Sequence, residues 1–233
     1  EAHVLGQTMN VYKNSPPSGR ELWLSTAAFG PRDYIVYEGE RLTYAAAHDQ
    51  VRAITAWLWD QGVRPGDRVA IAMRNYPEWM LIYWACLCIG VAAVGTNAWW
   101  TPEELDYALA DSAPKIIFAD AERLARLAEC TGDAAKVPTV AVRTEAPGTI
   151  PYSEVIAHPG AMPDVKVDPD SDACIFYTSG TTGHPKGAQL THRGCISNLM
   201  NLLYAGASSG MATERGGGAA IPAEPPVPAT LVT

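Results

Sequence analysis

Basic residues are scarce in this sequence of 233 residues. Seventeen lysines and arginines stand against 25 aspartates and glutamates, so the net charge is −8 and the isoelectric point lies near 5.1. A nucleic-acid-binding surface normally needs a basic face, and this balance therefore argues against nucleic acid as a partner. A small anionic ligand is still allowed, because a single loop can hold an anion whatever the overall sign of the protein.

Cysteine is also scarce. The five cysteines are Cys86, Cys88, Cys130, Cys174 and Cys195. Their number is odd and no pair has the spacing of a zinc site, so no metal centre is predicted from them. We expect reduced thiols, buried as free cysteines usually are, in a protein of the cytoplasm.

The sequence lacks a secretory signal and an unbroken membrane span. It opens on Glu1 with no basic segment followed by an apolar one, which predicts a cytoplasmic location. The missing initiator methionine predicts a processed chain or a piece of a longer one. Residues 79–95 carry no charge and approach the length of a spanning helix. Because Gly90 interrupts this run, a helix over 77–89 followed by a buried strand over 91–94 explains it better.

Buried strands and helices alternate along the chain, in a sequence with 48% hydrophobic and 18% charged residues. A hairpin is predicted over 34–43. After it the pattern predicts helices over 44–60, 77–89, 102–111 and 121–129, and strands over 68–73, 91–94, 115–119, 137–142 and 174–178. The connections are too short for anything but βαβ units. We therefore predict an α/β fold with a mostly parallel sheet and helices on both faces.

The remaining segments are predicted to be less regular. Residues 143–170 are rich in proline, glycine and acid, which indicates a long surface connection. A helix over 192–204 has leucines at helical spacing, which favours core packing. Residues 206–233 form a Gly/Ala/Pro-rich connection that ends on a β-prone segment with no later partner. We expect residues 1–205 to be the α/β unit, and the last strand to be an exposed edge belonging to a longer polypeptide.

A loop after the last predicted strand carries the residues best suited to chemistry. Residues 178–187 supply four hydroxyl groups, three glycines and one lysine. Glycines let the backbone turn its N–H groups toward one point, and hydroxyl groups and a lysine add donors and positive charge. This composition suits a polyphosphate. It equally suits a surface turn, because Gly, Ser and Thr are common in turns.

Two familiar phosphate-binding patterns are excluded by spacing. A Walker A loop needs glycine five positions after Gly180, and Pro185 stands there. No G-x-G-x-x-G follows any predicted strand. Composition alone therefore leaves the phosphate loop and the plain turn as equal alternatives.

The order of residues carries further information. Residues 177–193 read YTSGTTGHPKGAQLTHR. This stretch closely resembles the signature loop of the adenylate-forming superfamily, which includes AMP-forming acyl-CoA synthetases, luciferases and the adenylation domains of peptide synthetases. The segments 39–79 and 88–120 resemble the fatty-acyl-CoA ligase branch, and the resemblance extends over nearly all of residues 20–205.

The resemblance implies a reaction in two steps. A carboxylic acid, expected to be a fatty acid, attacks the α-phosphorus of ATP to give an acyl-adenylate and pyrophosphate, and the thiol of CoA then displaces AMP. Mg²⁺ would neutralise the triphosphate. Seven residues match the phosphate loop of the family and are expected to hold the β- and γ-phosphates: Thr178, Ser179, Gly180, Thr181, Thr182, Gly183 and Lys186. His184 receives no catalytic role, and Pro185 is expected to stiffen the turn.

The resemblance also shows what is missing. The adenine-contacting motif, the ribose-binding aspartate and the catalytic lysine of the family lie downstream of the phosphate loop and have no counterpart here. We therefore expect this chain alone to complete neither half-reaction, and the rest of the same polypeptide to be its partner. Two alternatives stay open: another acceptor, as in luciferases or carrier-protein ligases, and a non-catalytic nucleotide- or phosphate-binding module.

Two further groups are ambiguous at this level. His192 and Arg193 either frame the loop or belong to a solvated helix face. Trp99 and Trp100 are placed in packing rather than in stacking on a ligand, because large aromatic residues mostly contribute buried area.

Overall fold

A computed structural model describes residues 1–132, 136–178, 185–215 and 230–231. Its strands are β1 (Ala2–Val4), β2 (Gln7–Met9), β3 (Asp33–Tyr37), β4 (Glu40–Thr43), β5 (Arg68–Ala72), β6 (Ala92–Gly95), β7 (Ile116–Ala119), β8 (Thr139–Ala141), β9 (Ile150–Pro151), β10 (Asp172–Thr178), β11 (Lys186–Thr191) and β12 (Thr230–Leu231). Its α-helices are α1 (Gly19–Ser25), α2 (Tyr44–Asp60), α3 (Pro77–Cys88), α4 (Pro102–Ser112), α5 (Ala121–Glu129), α6 (Tyr152–Ile156) and α7 (His192–Arg215).

A seven-stranded sheet organises the chain, in the order β11-β10-β6-β5-β7-β8-β9. Six of these strands are mutually parallel, and β11 at one edge is antiparallel to β10. Strand β5 lies between β6 on one side and β7 on the other, so the chain changes direction across the sheet at β5. This is the order of a doubly wound sheet.

Side chains of the central strands alternate between two buried faces. Val69 and Ile71 of β5 face a cluster that includes Ile54 and Leu58 of α2 and Leu81 of α3. The intervening residues of β5 face a second cluster, formed with α4 and α5. Both faces exclude water, which is why the strands read as continuous apolar runs. The predicted α/β fold with helices on both faces is confirmed.

Local signals placed several helix ends correctly. Helix α2 begins after Thr43, whose side chain accepts a hydrogen bond from a backbone N–H in the first turn. Helix α4 begins with a complete capping box between Thr101 and Glu104. The uncharged run divides as expected, because α3 ends at Cys88 and Gly90 turns the chain with a φ of 66°. None of the helices in the described ranges combines the length and apolar character needed to cross a membrane.

Several predicted boundaries are wrong. The connection over 143–170 contains edge strand β9 and helix α6, and residues 2–9 form an N-terminal hairpin, β1–β2, that no pattern indicated. Strand β12 is paired: it adds in parallel to β3, with Thr230 opposite Ile35. Its predicted exposed edge is therefore wrong, because the free edge of the β3–β4 hairpin offers backbone groups that a short strand can satisfy.

Helix α7 differs from its prediction in length and in packing. It runs to Arg215, so regular structure continues past the predicted limit at residue 205. No proline interrupts this stretch, and a helix tolerates glycine at about 1 kcal/mol each. Leu202 and Leu203 are exposed, which contradicts the expected core packing, because only the first turns of α7 lie on the sheet. Residues 216–229 lie outside the described ranges, and the predicted connection there stays a prediction.

A close approach between α1 and α3 leads to the first testable prediction. A Cβ atom on Gly19 would lie 2.6 Å from a methyl group of the Leu87 side chain. Gly19→Ala should therefore lower the free energy of unfolding by about 1–3 kcal/mol, the usual range for overpacking. Urea denaturation measures this difference. Gly206→Ala is the matched control on exposed helix α7, where nothing described lies within 4 Å of the added methyl group, and it should be neutral or slightly stabilising. Equal effects of the two substitutions would contradict the prediction.

Candidate functional site

Strands β10 and β11 form an antiparallel hairpin at one edge of the sheet. Thr178 pairs with Lys186 at the open end of this ladder, and the pairing continues back to Asp172 opposite Thr191. The Thr178 hydroxyl group lies 3.5 Å from the backbone oxygen of Lys186. Both residues are exposed. The chain therefore leaves the sheet at Thr178 and returns to it at Lys186, at the carboxyl end of a parallel strand, where ligands of doubly wound sheets usually bind.

Two of the seven predicted site residues are placed by the structure. Thr178 ends β10, and Lys186 begins β11. The other five, Ser179, Gly180, Thr181, Thr182 and Gly183, lie outside the described residues, as does His184. Their roles stay predictions. Strand β11 itself carried no sequence signal, because its residues are nearly all exposed and show no apolar alternation.

The strand leading into the segment is held in place by aromatic contacts. Tyr177 donates a hydrogen bond to the Asp111 carboxylate (2.7 Å), and its ring meets Trp100 edge to face, with centroids 5.5 Å apart. Burial, followed by the hydrogen bond to Asp111, raises the pKa of Tyr177, which keeps the phenol neutral. The Phe176 ring covers Gly95 of β6 so closely that a Cβ there would lie 2.8 Å from it. These contacts fix the backbone that presents Thr178.

The two neighbouring tryptophans, Trp99 and Trp100, have different environments. Trp100 is buried against Tyr177, as the packing interpretation expects. Trp99 is 70% exposed, and the Arg74 guanidinium lies over its ring at 4.6 Å. The prediction of core packing is therefore confirmed for Trp100 and wrong for Trp99.

The first turn of α7 joins neighbouring elements, and the solvated-face interpretation is wrong for His192. A role of His192 and Arg193 in framing the loop stays a prediction, because residues 179–184 lie outside the described residues. His192 is fully buried, and its Nδ1 accepts a hydrogen bond from the Gly19 N–H (3.1 Å). Arg193 forms a bidentate ion pair with Asp170, at 2.6 and 3.0 Å. Sequence could not show this, because Gly19 lies 173 positions away. The two side chains join the start of α7 to α1 and to the residues before β10.

Burial gives His192 a pH-dependent effect on stability. Since Nδ1 accepts, Nε2 carries the hydrogen, and this atom has no partner among the described residues. Burial lowers the pKa of His192 to about 4. The folded value lies below the unfolded value of about 6.5, so unfolded chains take up the proton first. Stability is therefore full above about pH 6.5 and falls as the pH drops toward 4.

This gives a second prediction. Between pH 7.5 and pH 5, the parent chain should lose about 2 kcal/mol more free energy of unfolding than His192→Gln, whose amide keeps an acceptor for the Gly19 N–H. Urea titrations at the two pH values measure the difference. His3→Gln, at an exposed histidine, should behave as the parent does. An identical pH response in the parent and in His192→Gln would contradict the account.

A cleft of about 380 Å³ opens at the carboxyl ends of β5, β7 and β8. Its inner end holds a buried ion pair between Asp120 and Arg123, with 2.9 Å contacts to both carboxylate oxygens. Arg143 lines the cleft too and is held by Glu40 and Glu78, and the hydrogen bond to Glu40 contributes most to raising its pKa. Both arginines are already paired with carboxylates, so neither offers an unpaired positive charge to a ligand. This cleft was not predicted from the sequence.

The described residues show no metal centre. Among them, no group of three His, Cys, Asp or Glu side chains is arranged to hold a metal ion. At the open end of the hairpin, the described part of the chain offers a hydroxyl-bearing residue, Thr178, paired across the ladder with a lysine, Lys186.

The fold and this hairpin define a doubly wound α/β protein with a candidate anion-binding segment between its last parallel strand and an antiparallel edge strand. The chain belongs to the family described as AMP-binding enzyme, whose model matches residues 23–215. The resemblance to adenylate-forming enzymes is thereby confirmed.

Relatives from plants and bacteria agree with this family. The chain is 32% identical over 164 residues to 4-coumarate–CoA ligase CCL1 of Humulus lupulus, covering 69% of this chain and 30% of that protein. It is 36% identical to a feruloyl-CoA synthase of Amycolatopsis sp (71% and 31% covered). It is 32% identical to the long-chain-fatty-acid–CoA ligase FadD15 of Mycobacterium tuberculosis (72% and 30% covered). The chain therefore spans about 30% of the length of the relatives it matches.

Solved structures show the same fold. The anthranilate CoA ligase AuaEII, in complex with anthranoyl-AMP, superposes with a TM-score of 0.69 at 19% identity, covering 79% of this chain and 36% of that chain. A fatty acyl CoA synthetase of Mycobacterium tuberculosis superposes with a TM-score of 0.64 at 26% identity, covering 76% and 35%.

Proposed function

We propose that this chain supplies the phosphate-binding hairpin of an AMP-forming acid–CoA ligase. In the reaction, a carboxylate oxygen attacks the α-phosphorus of ATP and pyrophosphate leaves. The CoA sulfur then attacks the acyl carbonyl carbon, and AMP leaves. The observation that carries the proposal is the pairing of Thr178 with Lys186, which brings the two ends of the family's loop together at the carboxyl end of β10.

The hairpin would act by binding and orienting ATP. Lys186 is an exposed residue at the start of β11, so its ammonium group can reach an anion without first breaking a buried contact. Hydroxyl and backbone N–H groups would hold the β- and γ-phosphates while pyrophosphate departs. The hydroxyl groups are those of Thr178, Ser179, Thr181 and Thr182, and the N–H groups are those of Gly180 and Gly183. Such donors accelerate a reaction because they are already in position as charge develops.

The described residues fit a phosphate better than they fit a resident metal ion. An exposed lysine and threonine beside a segment with two glycines suit an anion, whereas no three-ligand group exists among the described side chains. Mg²⁺ would arrive with the triphosphate and neutralise part of its charge. We assign no step to it through this part of the chain, and we propose that CoA is bound mainly by the remainder of the polypeptide.

The acid substrate is proposed to be a fatty acid. The sequence segments 39–79 and 88–120 favour that branch, and one relative is named for long-chain fatty acids. Other relatives are named for 4-coumarate and ferulate, which makes aromatic acids the second candidate. A cytoplasmic location stays a prediction. An acceptor other than CoA stays the alternative to the proposed second step.

Acid-dependent ATP–pyrophosphate exchange tests the proposal. The assay should use the complete polypeptide that carries this sequence, with a panel of fatty, hydroxycinnamic and hydroxybenzoic acids. Exchange with a fatty acid would support the full proposal, and exchange with aromatic acids alone would support adenylation while replacing the substrate. A folded protein that binds ATP and exchanges with no acid would favour the non-catalytic module. The 233-residue chain is the matched sample, in which we expect no exchange.

A further inference from the structure

Tyr177 joins the β10–β11 hairpin to helix α4. Its hydroxyl group donates a hydrogen bond to the Asp111 carboxylate (2.7 Å) and lies 3.1 Å from the Ala108 carbonyl oxygen. Its ring meets Trp100, which directly precedes the N-cap residue of α4, edge to face. Because Tyr177 is the second-last residue of β10, α4 holds this strand close to the point where it ends.

The same side chain also lies close to strand β11. Gly187 stands opposite Tyr177 in the ladder, one position after Lys186. A Cβ atom on Gly187 would lie 3.3 Å from the hydroxyl-bearing carbon of the Tyr177 ring and 3.0 Å from a methyl group of Ile175. Because Gly187 has no side chain, the ring fits against the backbone of β11. One side chain therefore connects α4 to both strands of the hairpin.

Asp111 occupies an unfavourable place for a carboxylate. It lies in the last turn of α4, where the helix dipole carries partial negative charge, and this turn contains no basic residue. Asp111 is also exposed, so it adds little to the packing of the core. The contact that the described residues give it is the hydrogen bond from Tyr177, which is strengthened because the acceptor is ionised. A residue that opposes local helix stability and serves one contact beside a binding segment is typical of a functional position.

We propose that Tyr177 and Asp111 are positioning residues for ATP. Their hydrogen bond holds the hairpin against α4, so that Thr178 and Lys186 keep a fixed spacing for the phosphates. Both act through Thr178 and Lys186 and not by contact with the substrate. The inference rests on the proposed function, which makes the β- and γ-phosphates of ATP the ligand of the hairpin. Without this hydrogen bond the end of the ladder should open more often, and the phosphate-binding donors would more often be out of place.

Acid-dependent ATP–pyrophosphate exchange in the complete polypeptide tests the effect on ATP. Asp111→Ala should raise the KM for ATP about fivefold, in the range that one hydrogen bond contributes. Asp111→Asn keeps an oxygen that accepts from Tyr177 and should recover most of the parent KM. Glu103→Ala removes an exposed carboxylate from the first turn of the same helix and should leave the KM unchanged. A merely structural loss would lower the amount of active enzyme, and hence kcat, without changing the KM.

A double-variant cycle tests whether the two residues act together. Tyr177→Phe removes the hydroxyl group and keeps the ring that meets Trp100, so it should raise the KM for ATP as Asp111→Ala does. Because both substitutions remove the same hydrogen bond, the double variant should raise the KM no further than either single variant. Effects that multiply in the double variant would show that the two residues act separately, which contradicts the proposal.

Hydrogen–deuterium exchange of the complete polypeptide reports on the hairpin without any activity. In Asp111→Ala, the amides of Tyr177 and Gly187 should exchange about fivefold faster than in the parent, because local opening there breaks one hydrogen bond fewer. Amides at the other end of the ladder, where Asp172 lies opposite Thr191, should keep the parent rates.

The outcomes separate this inference from the proposed function. A parent polypeptide without ATP–pyrophosphate exchange would overturn the proposed function, and with it the role of the pair toward ATP. If the parent is active and Asp111→Ala has the same KM for ATP as Glu103→Ala, the positioning role alone is overturned. Unchanged amide exchange at the open end of the hairpin in Asp111→Ala would overturn it as well.

Discussion

Replacing Lys186 by alanine should lower acid-dependent ATP–pyrophosphate exchange about 100-fold in the complete polypeptide, the size of effect seen when one preorganised donor is lost from a charged transition state. Lys186 lies across the β10–β11 ladder from Thr178, at the start of the strand that follows the segment expected to hold the phosphates. Because Lys186 is exposed, the free energy of unfolding should stay within about 0.5 kcal/mol of the parent value.

Matched measurements make this result specific. Lys13→Ala removes an exposed lysine from the segment before α1 and should leave exchange unchanged. Lys186→Arg keeps the charge and should recover part of the activity. Unchanged exchange in Lys186→Ala would show that Lys186 is a solvated surface residue with no role in the reaction. Parallel losses of exchange and stability would show that the hairpin has a structural role only.

Replacing Arg123 by alanine should lower the free energy of unfolding by about 3 kcal/mol, because it leaves the buried Asp120 carboxylate without its counter-ion. Arg123 is 1% exposed and Asp120 is 4% exposed. The carboxylate would retain the Arg74 N–H (2.9 Å) and the backbone N–H of residue 123 (3.1 Å), which keeps the loss at the lower end of the range for a broken buried pair. Urea denaturation at pH 7.5 measures it.

Arg126→Ala is the control for this second result. The Arg126 guanidinium donates to the Ala98 carbonyl oxygen (2.6 Å), as Arg123 does, but it forms no bond to Asp120. Its loss should cost about 1 kcal/mol, the net value of one hydrogen bond. If Arg123→Ala costs no more than Arg126→Ala, the buried ion pair contributes little and the account of the cleft is wrong.

Local patterns predicted the central elements well, for reasons visible in particular residues. Strand β5 is covered on both faces and so reads as an apolar run, and α2 shows its buried face through the spacing of Val51, Ile54 and Leu58. The Thr101–Glu104 capping box is a short-range signal that the structure reproduces atom for atom. The order of residues 177–193 indicated the family, which the comparisons confirm.

Elements without a buried face were not predicted correctly from the sequence. Strand β11 is an exposed edge, and its partner β10 supplies the hydrogen bonds that define it. The leucines of α7 have helical spacing, but that pattern cannot show whether a neighbour covers them, and Leu202 and Leu203 are exposed in this chain. For the site, sequence named seven residues, and the structure places two of them, Thr178 and Lys186.

The amino-acid sequence by itself determined the kind and order of the central elements and indicated the family through the motif between β10 and β11. Periodicity, capping and motif order are properties of neighbouring residues. The contact of His192 with Gly19 and the burial of the local Asp120–Arg123 pair at the strand ends were decided by the folded chain. Both depend on how parallel strands and their helices come together, and His192 and Gly19 meet across 173 positions of the chain, over which local patterns carry no information.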